Sequence, residues 1–246
     1  MNKDYQIHEH QGIRYFTLKR FEPFPFLVHG FGGKPGKTDL FFETLGINPK
    51  SVLSLKQVHG DHIISIRSKP FRLDTLKGCE GDAIITDLPE IPIAVRTADC
   101  LPVILFHPDK RVIAVVHAGR KGTLLKIARK VVEKMEKDYD ISSKTLLAGL
   151  GPSIKECCYE VGDEIASAVI NEYDSGERYI KKTKINRYFL DLTAMNIDQL
   201  MEGGLKRENI ISVGLCTCCH PEIFFSYRRD NREKGRMMNA AMLMPG

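Results

Sequence analysis

The stretch "TADCLPVILFHPDKRVIAVVHAGRKGT", residues 97–123, decides the fold. Its two runs "PVILFH" (102–107) and "RVIAVVHA" (111–118) are rich in β-branched residues and almost unbroken in apolarity. That is the pattern of strands covered on both faces. The intervening Pro108, Asp109 and Lys110 carry turn chemistry, so the two runs read as a hairpin. In an antiparallel pair the start of the first arm lies beside the end of the second. Cys100 and His117 therefore meet at one mouth of the sheet. An ionised Asp99 or Cys100 at the edge of a buried run is costly unless something pairs with it.

Working outward, "HIISIRS" (62–68), "DAIITD" (82–87) and "IPIAVRTA" (91–98) read as further strands. From Thr123 to Tyr139 the apolar residues Leu124, Ala128, Val131, Val132 and Met135 form a one-face stripe, which predicts one helix. The charged residues off that stripe read as a solvated face. "TLLAGLGP" (145–152) is a strand; "VGDEIASAVINEY" (161–173) and "DLTAMNIDQLMEGG" (191–204) are helices, the second capped by Asp191 and stopped by Gly203 and Gly204. Short strands are expected at Ile210 to Gly214, Phe224 to Tyr227 and Met237 to Met244. Strands occur both in hairpins and separated by helices, so the sheet is mixed and the class is α/β or α+β. No repeat or linker divides residues 1–246, which reads as a single domain.

The 246 residues carry a modest net charge of +5, and no basic stripe interleaved with aromatics argues for nucleic acid. Lysines gather at 181, 182 and 184 and arginines at 228, 229 and 232. No apolar run is long enough to span a membrane, and "MNKDYQIHEH" lacks the apolar core of a signal peptide. These features point to a cytoplasmic address. Seven cysteines in a reducing compartment read as free, buried or metal-binding thiols.

"HGFGGKPGKT" (29–38) fails as a phosphate loop, because Phe31 stands where the first glycine belongs; it reads as a flexible glycine loop. His8 and His10 fall in a stretch expected to be mobile. "LCTCCH" (215–220) resembles half of a zinc knuckle. Cys157 and Cys158 are the available second pair, but neighbours on a strand point to opposite faces, so a structural zinc is not expected there.

Two chemistries fit Cys100 and His117. They could be a nucleophile and its base. With His59 of "KQVHGDH" they could instead be three metal ligands with a fourth position open, the pattern of catalytic zinc; a buried structural role for His59 stays open beside this. Asp99 could serve as general acid/base or as an orienter of its neighbour. Gly119 and Gly122, with Arg120 and Lys121 between them, open a helix and offer an anion site. Arg228 and Arg229 of "FSYRRD" are further cations for it, although Arg229 beside Asp230 reads equally as a surface ion pair.

The segments "KQVHGDHI", "GDAIITD", "VRTADCLPVILF", "AVVHAGRKGT", "GLGPSIKECCYEVGDEI", "FLDLTAMNIDQL" and "FFSYRRDNREKGRMMNAAML" together resemble a known family. Its members are the laccase-domain proteins, long labelled multicopper polyphenol oxidases and now regarded as zinc-dependent purine nucleoside phosphorylases. The resemblance implies that His59, Cys100 and His117 bind one metal, zinc, at the active-site mouth. It implies phosphorolysis of adenosine, inosine, guanosine and methylthioadenosine, with adenosine deamination as a second reaction. It implies a sandwich of mixed sheets with helices packed outside. The chain departs from the family in two places: Arg120-Lys121 replaces the usual Trp-Arg, and the Thr-x-Arg before the N-terminal glycines is missing, with Lys34 and Lys37 nearby. Lys121 keeps a charge but lacks the planar fork that suits phosphate.

Three rivals stand beside this reading. A copper polyphenol oxidase would need more histidines than the eight present for a full multicopper centre. A zinc-free Cys–His amidase or editing hydrolase could act on cell-wall precursors. A non-enzymatic binding module would use the three residues structurally.

Overall fold

The computed structural model describes residues 4–34, 37–67, 76, 78–231 and 235–245. Ser68, Pro35, Gly36 and Arg232, which fall within motifs quoted above, lie outside the described residues. In chain order the elements begin with β1 (Tyr5–His10), β2 (Ile13–Leu18), β3 (Leu27–Gly32), α1 (Thr38–Thr44), β4 (Ile63–Ile66), β5 (Ala83–Thr86), β6 (Ile93–Thr97), β7 (Leu101–His107) and β8 (Val112–Ala118). They continue with α2 (Arg120–Leu124), α3 (Ile127–Tyr139), β9 (Leu147–Leu150), β10 (Glu160–Val161), α4 (Asp163–Glu172), β11 (Ile180–Lys182), β12 (Tyr188–Leu190), α5 (Leu192–Glu202), β13 (Ile210–Ser212) and β14 (Met237–Leu243).

Alternation along the β7–β8 hairpin explains its unbroken apolarity. Leu101, Val103 and Leu105, with Val112, Ala114 and Val116, pack against Val131, Val132 and Met135 of α3, Ala166 and Val169 of α4, and Met195 of α5. Ile104, Phe106, Ile113 and Val115 point the other way, against Phe16, Phe31 and Val95 of a second sheet. The first sheet runs β13-β9-β7-β8-β5-β4 and the second β1-β2-β3-β14-β6, with a small sheet β10-β12-β11 beside them. The β4–β5 and β13–β9 pairs are parallel, and the hairpin pair is antiparallel. The result is a mixed-sheet sandwich with helices on its outer face, as expected. Helix α1 covers part of the opposite outer face through Phe41 and Phe42.

Four expectations need correction. The helix predicted over Thr123 to Tyr139 is two helices, broken where Lys126 adopts a left-handed conformation at φ 60. No Pro or Gly marks the break; distant side chains stabilise it. The Tyr173 hydroxyl lies 2.7 Å from Leu124 O, and Gln199 Nε2 donates to Thr123 O at 2.8 Å, so the carbonyls released at the break keep partners. Phe224 to Tyr227 is not a strand. It leads into a turn closed by Asp230 N–H to Ser226 O and by Ser226 N–H to the Asp230 carboxylate.

The glycine stretch is not a flexible loop over its first residues, which form the end of β3 and pair with β14 from Leu27 to Phe31. A Cβ at Gly32 would sit 2.7 Å from Met238 O, so this close backbone approach requires glycine. His8 and His10 are not in a mobile segment but in β1, paired with β2 across a turn at Gln11 and Gly12, both at positive φ. Such a turn is the standard hairpin connection, and the β-branched and aromatic residues of "IRYFTL" suit the strand that follows it. Among the described residues, no helix is long and apolar enough to cross a membrane.

Candidate metal centre and active site

The register of the central hairpin puts Leu101 opposite Ala118 and Pro102 opposite His117. Cys100 thus precedes one strand at the level where His117 ends the other. His59 arrives from a turn ahead of β4, at φ 60. That turn is fastened by Gln57, whose side chain donates to Arg96 O and accepts from Arg96 N–H at 2.9 and 2.8 Å. One ligand atom from each of His59, Cys100 and His117 lies within 4.8 Å of the others.

The residue that organises this cluster is Asp82, which sequence reasoning missed. It is fully buried and stands just before β5. Its carboxylate accepts the backbone N–H groups of Val58, His59 and Gly60 at 3.3, 3.0 and 2.7 Å. It also lies 2.7 Å from His117 Nδ1. One buried carboxylate therefore fixes both the turn that carries His59 and the orientation of the second imidazole. With Nδ1 bonded to Asp82, His117 Nε2 is the nitrogen left for a ligand role, an arrangement widespread around metal-bound histidines. The signal was present: "GD" before an apolar run places a charge where burial has to be compensated.

The electrostatics follow from these contacts. Burial would lower the His117 imidazole, but the bond to Asp82 and the neighbouring Cys100 outweigh it and raise it to about 9. Burial would raise the Cys100 thiol, but hydrogen bonds and charge from His117 and His59 bring it down to about 6. Asp82 resists the upward push of burial and is held below the usual carboxylate range by His117 and the backbone N–H groups. The set suits a cation, and the space above it is kept open. A Cβ at Gly119 would lie 3.1 Å from both Cys100 Sγ and His59 Cδ2. The donor set and the bare glycine together fit a metal ion with a free side.

Asp99 sits at φ 86 with its carboxylate turned to the protein. Oδ1 accepts from the Thr217 hydroxyl at 2.6 Å and Oδ2 from Arg228 N–H at 2.7 Å. Both oxygens are thus engaged in joining the Cys100 bend to the loop before β14. The two candidate arginines diverge. All five N–H groups of Arg229 are engaged, by Thr217 O, Cys218 O, Phe224 O and both oxygens of Asp230, which leaves none for a substrate anion. Among the described residues Arg228 makes one side-chain hydrogen bond, to Glu160 O at 2.9 Å, and its guanidinium lies over the Tyr159 ring. Tyr159, also missed from sequence, has its phenol pushed up to about 12, first by burial, and it feels the charges of Arg120, Cys100, Arg228 and Asp99 together. Lys121 is exposed in the short helix α2.

The sequence expectation for the other cysteines also fails in its geometry. Cys157 and Cys158 lie in a turn rather than a strand, and both approach Cys219 Sγ, at 3.5 and 3.4 Å. Among the described residues, the groups able to hold a metal ion are this cysteine cluster and His59–Cys100–His117. Only one of them contains imidazole, so no histidine-rich trinuclear copper centre is assembled there.

The comparisons with known proteins agree with this geometry. The chain is 38% identical to a purine nucleoside phosphorylase of Clostridium acetobutylicum over 195 residues, 78% of this chain and 77% of that protein. It is 32% identical to an adenosine deaminase from an unknown prokaryotic organism, over 78% of this chain and 75% of that one. The solved structure of YlmD from Geobacillus stearothermophilus superposes with a TM-score of 0.87 at 25% identity, covering 99% of this chain and 100% of that one. Residues 37–244 match the family described as multi-copper polyphenol oxidoreductase laccase. The chain belongs to that family.

Proposed function

We propose that this chain is a zinc-dependent purine nucleoside phosphorylase that also deaminates adenosine, working as one domain in the reducing cytoplasm. Relatives named for those two activities support the reaction class. No disulfide joins any of the seven cysteines, which suits a reducing compartment. The observation that carries the reading is the convergence of His59, Cys100 and His117 beneath an unobstructed Gly119. Zinc suits a nitrogen–sulfur–nitrogen donor set that leaves one position open. Bound there, it supplies a Lewis acid beside the reacting groups.

The chain's own residues divide the remaining work. Asp82 holds the His117 tautomer and the His59 turn, so the ligands need little rearrangement. In phosphorolysis a phosphate oxygen bonds to ribose C1′ as the bond from C1′ to the purine nitrogen breaks. Arg228, Arg120 and Lys121 supply positive charge for that anion, and the Tyr159 phenol, neutral at physiological pH, can donate to it. Asp99 acts by position, tying the Cys100 bend to Thr217 and Arg228. Arg229 acts one step further back, holding the loop that presents Arg228.

Incubating adenosine with the purified protein, with and without inorganic phosphate, tests the proposal by chromatography. Adenine and ribose 1-phosphate are expected only with phosphate, and inosine in both samples. Absence of all three products would refute it.

A further inference from the structure

We propose that Cys157, Cys158, Cys216 and Cys219 form a second metal site, a closed tetrathiolate that holds a structural zinc ion and pins the wall of the active site. The four sulfurs lie within 4.8 Å of one another, and Cys219 stands 3.5 and 3.4 Å from Cys157 and Cys158. A tetrahedron with zinc–sulfur bonds of about 2.3 Å requires sulfurs about 3.8 Å apart, close to this spacing. A disulfide would require about 2.05 Å. The thiols are thus placed at ion-binding rather than bonding distance.

The surroundings match the assignment. The half-buried Lys155 side chain, bonded to the Thr193 hydroxyl at 2.7 Å, stands two residues before Cys157 and brings a positive charge to a segment whose centre would carry net negative charge. The four ligands come from two loops, one following β9 and the other following β13. An ion at their junction would therefore cross-link segments some sixty residues apart in sequence.

Those loops carry residues that contact the Cys100 bend and its neighbours. Thr217, between two of the cluster's cysteines, donates to Asp99 and accepts from Arg229, and Tyr159 directly follows Cys158. Full coordination by four thiolates leaves no open position, so the role is positional rather than catalytic. The site is separate from His59–Cys100–His117 and stands whether or not the chain cleaves nucleosides.

Elemental analysis of the intact protein grown with zinc tests it. Wild type should hold about two zinc ions per chain, and Cys219→Ser and Cys100→Ala about one each. X-ray absorption of the Cys100→Ala protein should then show sulfur neighbours alone at about 2.3 Å, a reading that does not depend on how Cys219→Ser folds. A single zinc in wild type, unaffected by Cys219→Ser, would overturn the proposal. So would a disulfide among these cysteines by mass, or nitrogen neighbours in the Cys100→Ala spectrum.

Discussion

Two histidines in near-identical local contexts meet opposite fates. His29 follows Val28 and precedes a glycine stretch; His117 follows Val116 and stands two residues before Gly119. Both end in buried strands, on different sheets of the sandwich. Burial, reinforced by the nearby His8, pushes His29 down to about 4, and its Nε2 accepts the Leu18 N–H at 2.8 Å. His29 is a neutral core residue closing one backbone hydrogen bond. His117 faces Asp82 and Cys100 and is raised to about 9. Burial alone makes a core histidine; a buried carboxylate at Nδ1 and a thiol close by make a site that suits a cation.

The sharpest way to break this contrast is to remove the thiol. Cys100→Ala should lower kcat/KM for phosphorolysis by on the order of 10³-fold or more, the several kcal/mol expected of a Lewis acid, with loss of one bound metal. Steady-state kinetics with inosine read the first change and elemental analysis the second.

Acid should separate the histidines next. The folded-state value of His29, about 4, lies below its ordinary 6.5, so the unfolded chain binds a proton that the folded one refuses. The stability this neutral histidine contributes is present above 6.5 and is lost as pH falls towards 4, by about 3 kcal/mol in all at 1.36 kcal/mol per unit. Urea unfolding at pH 7 and pH 4.5 should show a smaller acid loss for His29→Gln than for wild type.

Asp82→Asn probes the partner that distinguishes the pair. An amide cannot match the carboxylate toward His117 Nδ1–H, so metal affinity should fall about 10–100-fold, measured by competition with a chelator. The smallest expected effect contrasts the neighbouring arginines. Arg228→Ala should raise the KM for phosphate about tenfold, the 1.4 kcal/mol of one charge-assisted contact, with Tm unchanged. Arg229→Ala should instead lower Tm, because it releases five hydrogen bonds within the protein.

The same contrast explains what the sequence made legible. The hairpin, its two covered faces and the meeting of Cys100 with His117 follow from strand periodicity and antiparallel geometry, both local properties of the chain. The resemblance to the family added His59, whose turn reaches the site only because Asp82 and Gln57 hold it. Asp82 itself escaped notice because its four partners come from two other segments. The break at Lys126 was hidden for the same reason, since Tyr173 and Gln199 stabilise it from α4's end and α5. Cys157 and Cys158 were misjudged because a strand was assumed where the chain turns. The N-terminal hairpin was also missed, although its Gln11-Gly12 turn and the β-branched and aromatic residues of "IRYFTL" were local signals for it.

The proposed turnover depends on one ion at the group formed by His59, Cys100 and His117. Its most direct test is the phosphorolysis rate of wild-type protein after chelator treatment and again after zinc is restored. The rate should fall to background and return with zinc; an undiminished rate in protein shown to be metal-free would contradict the account.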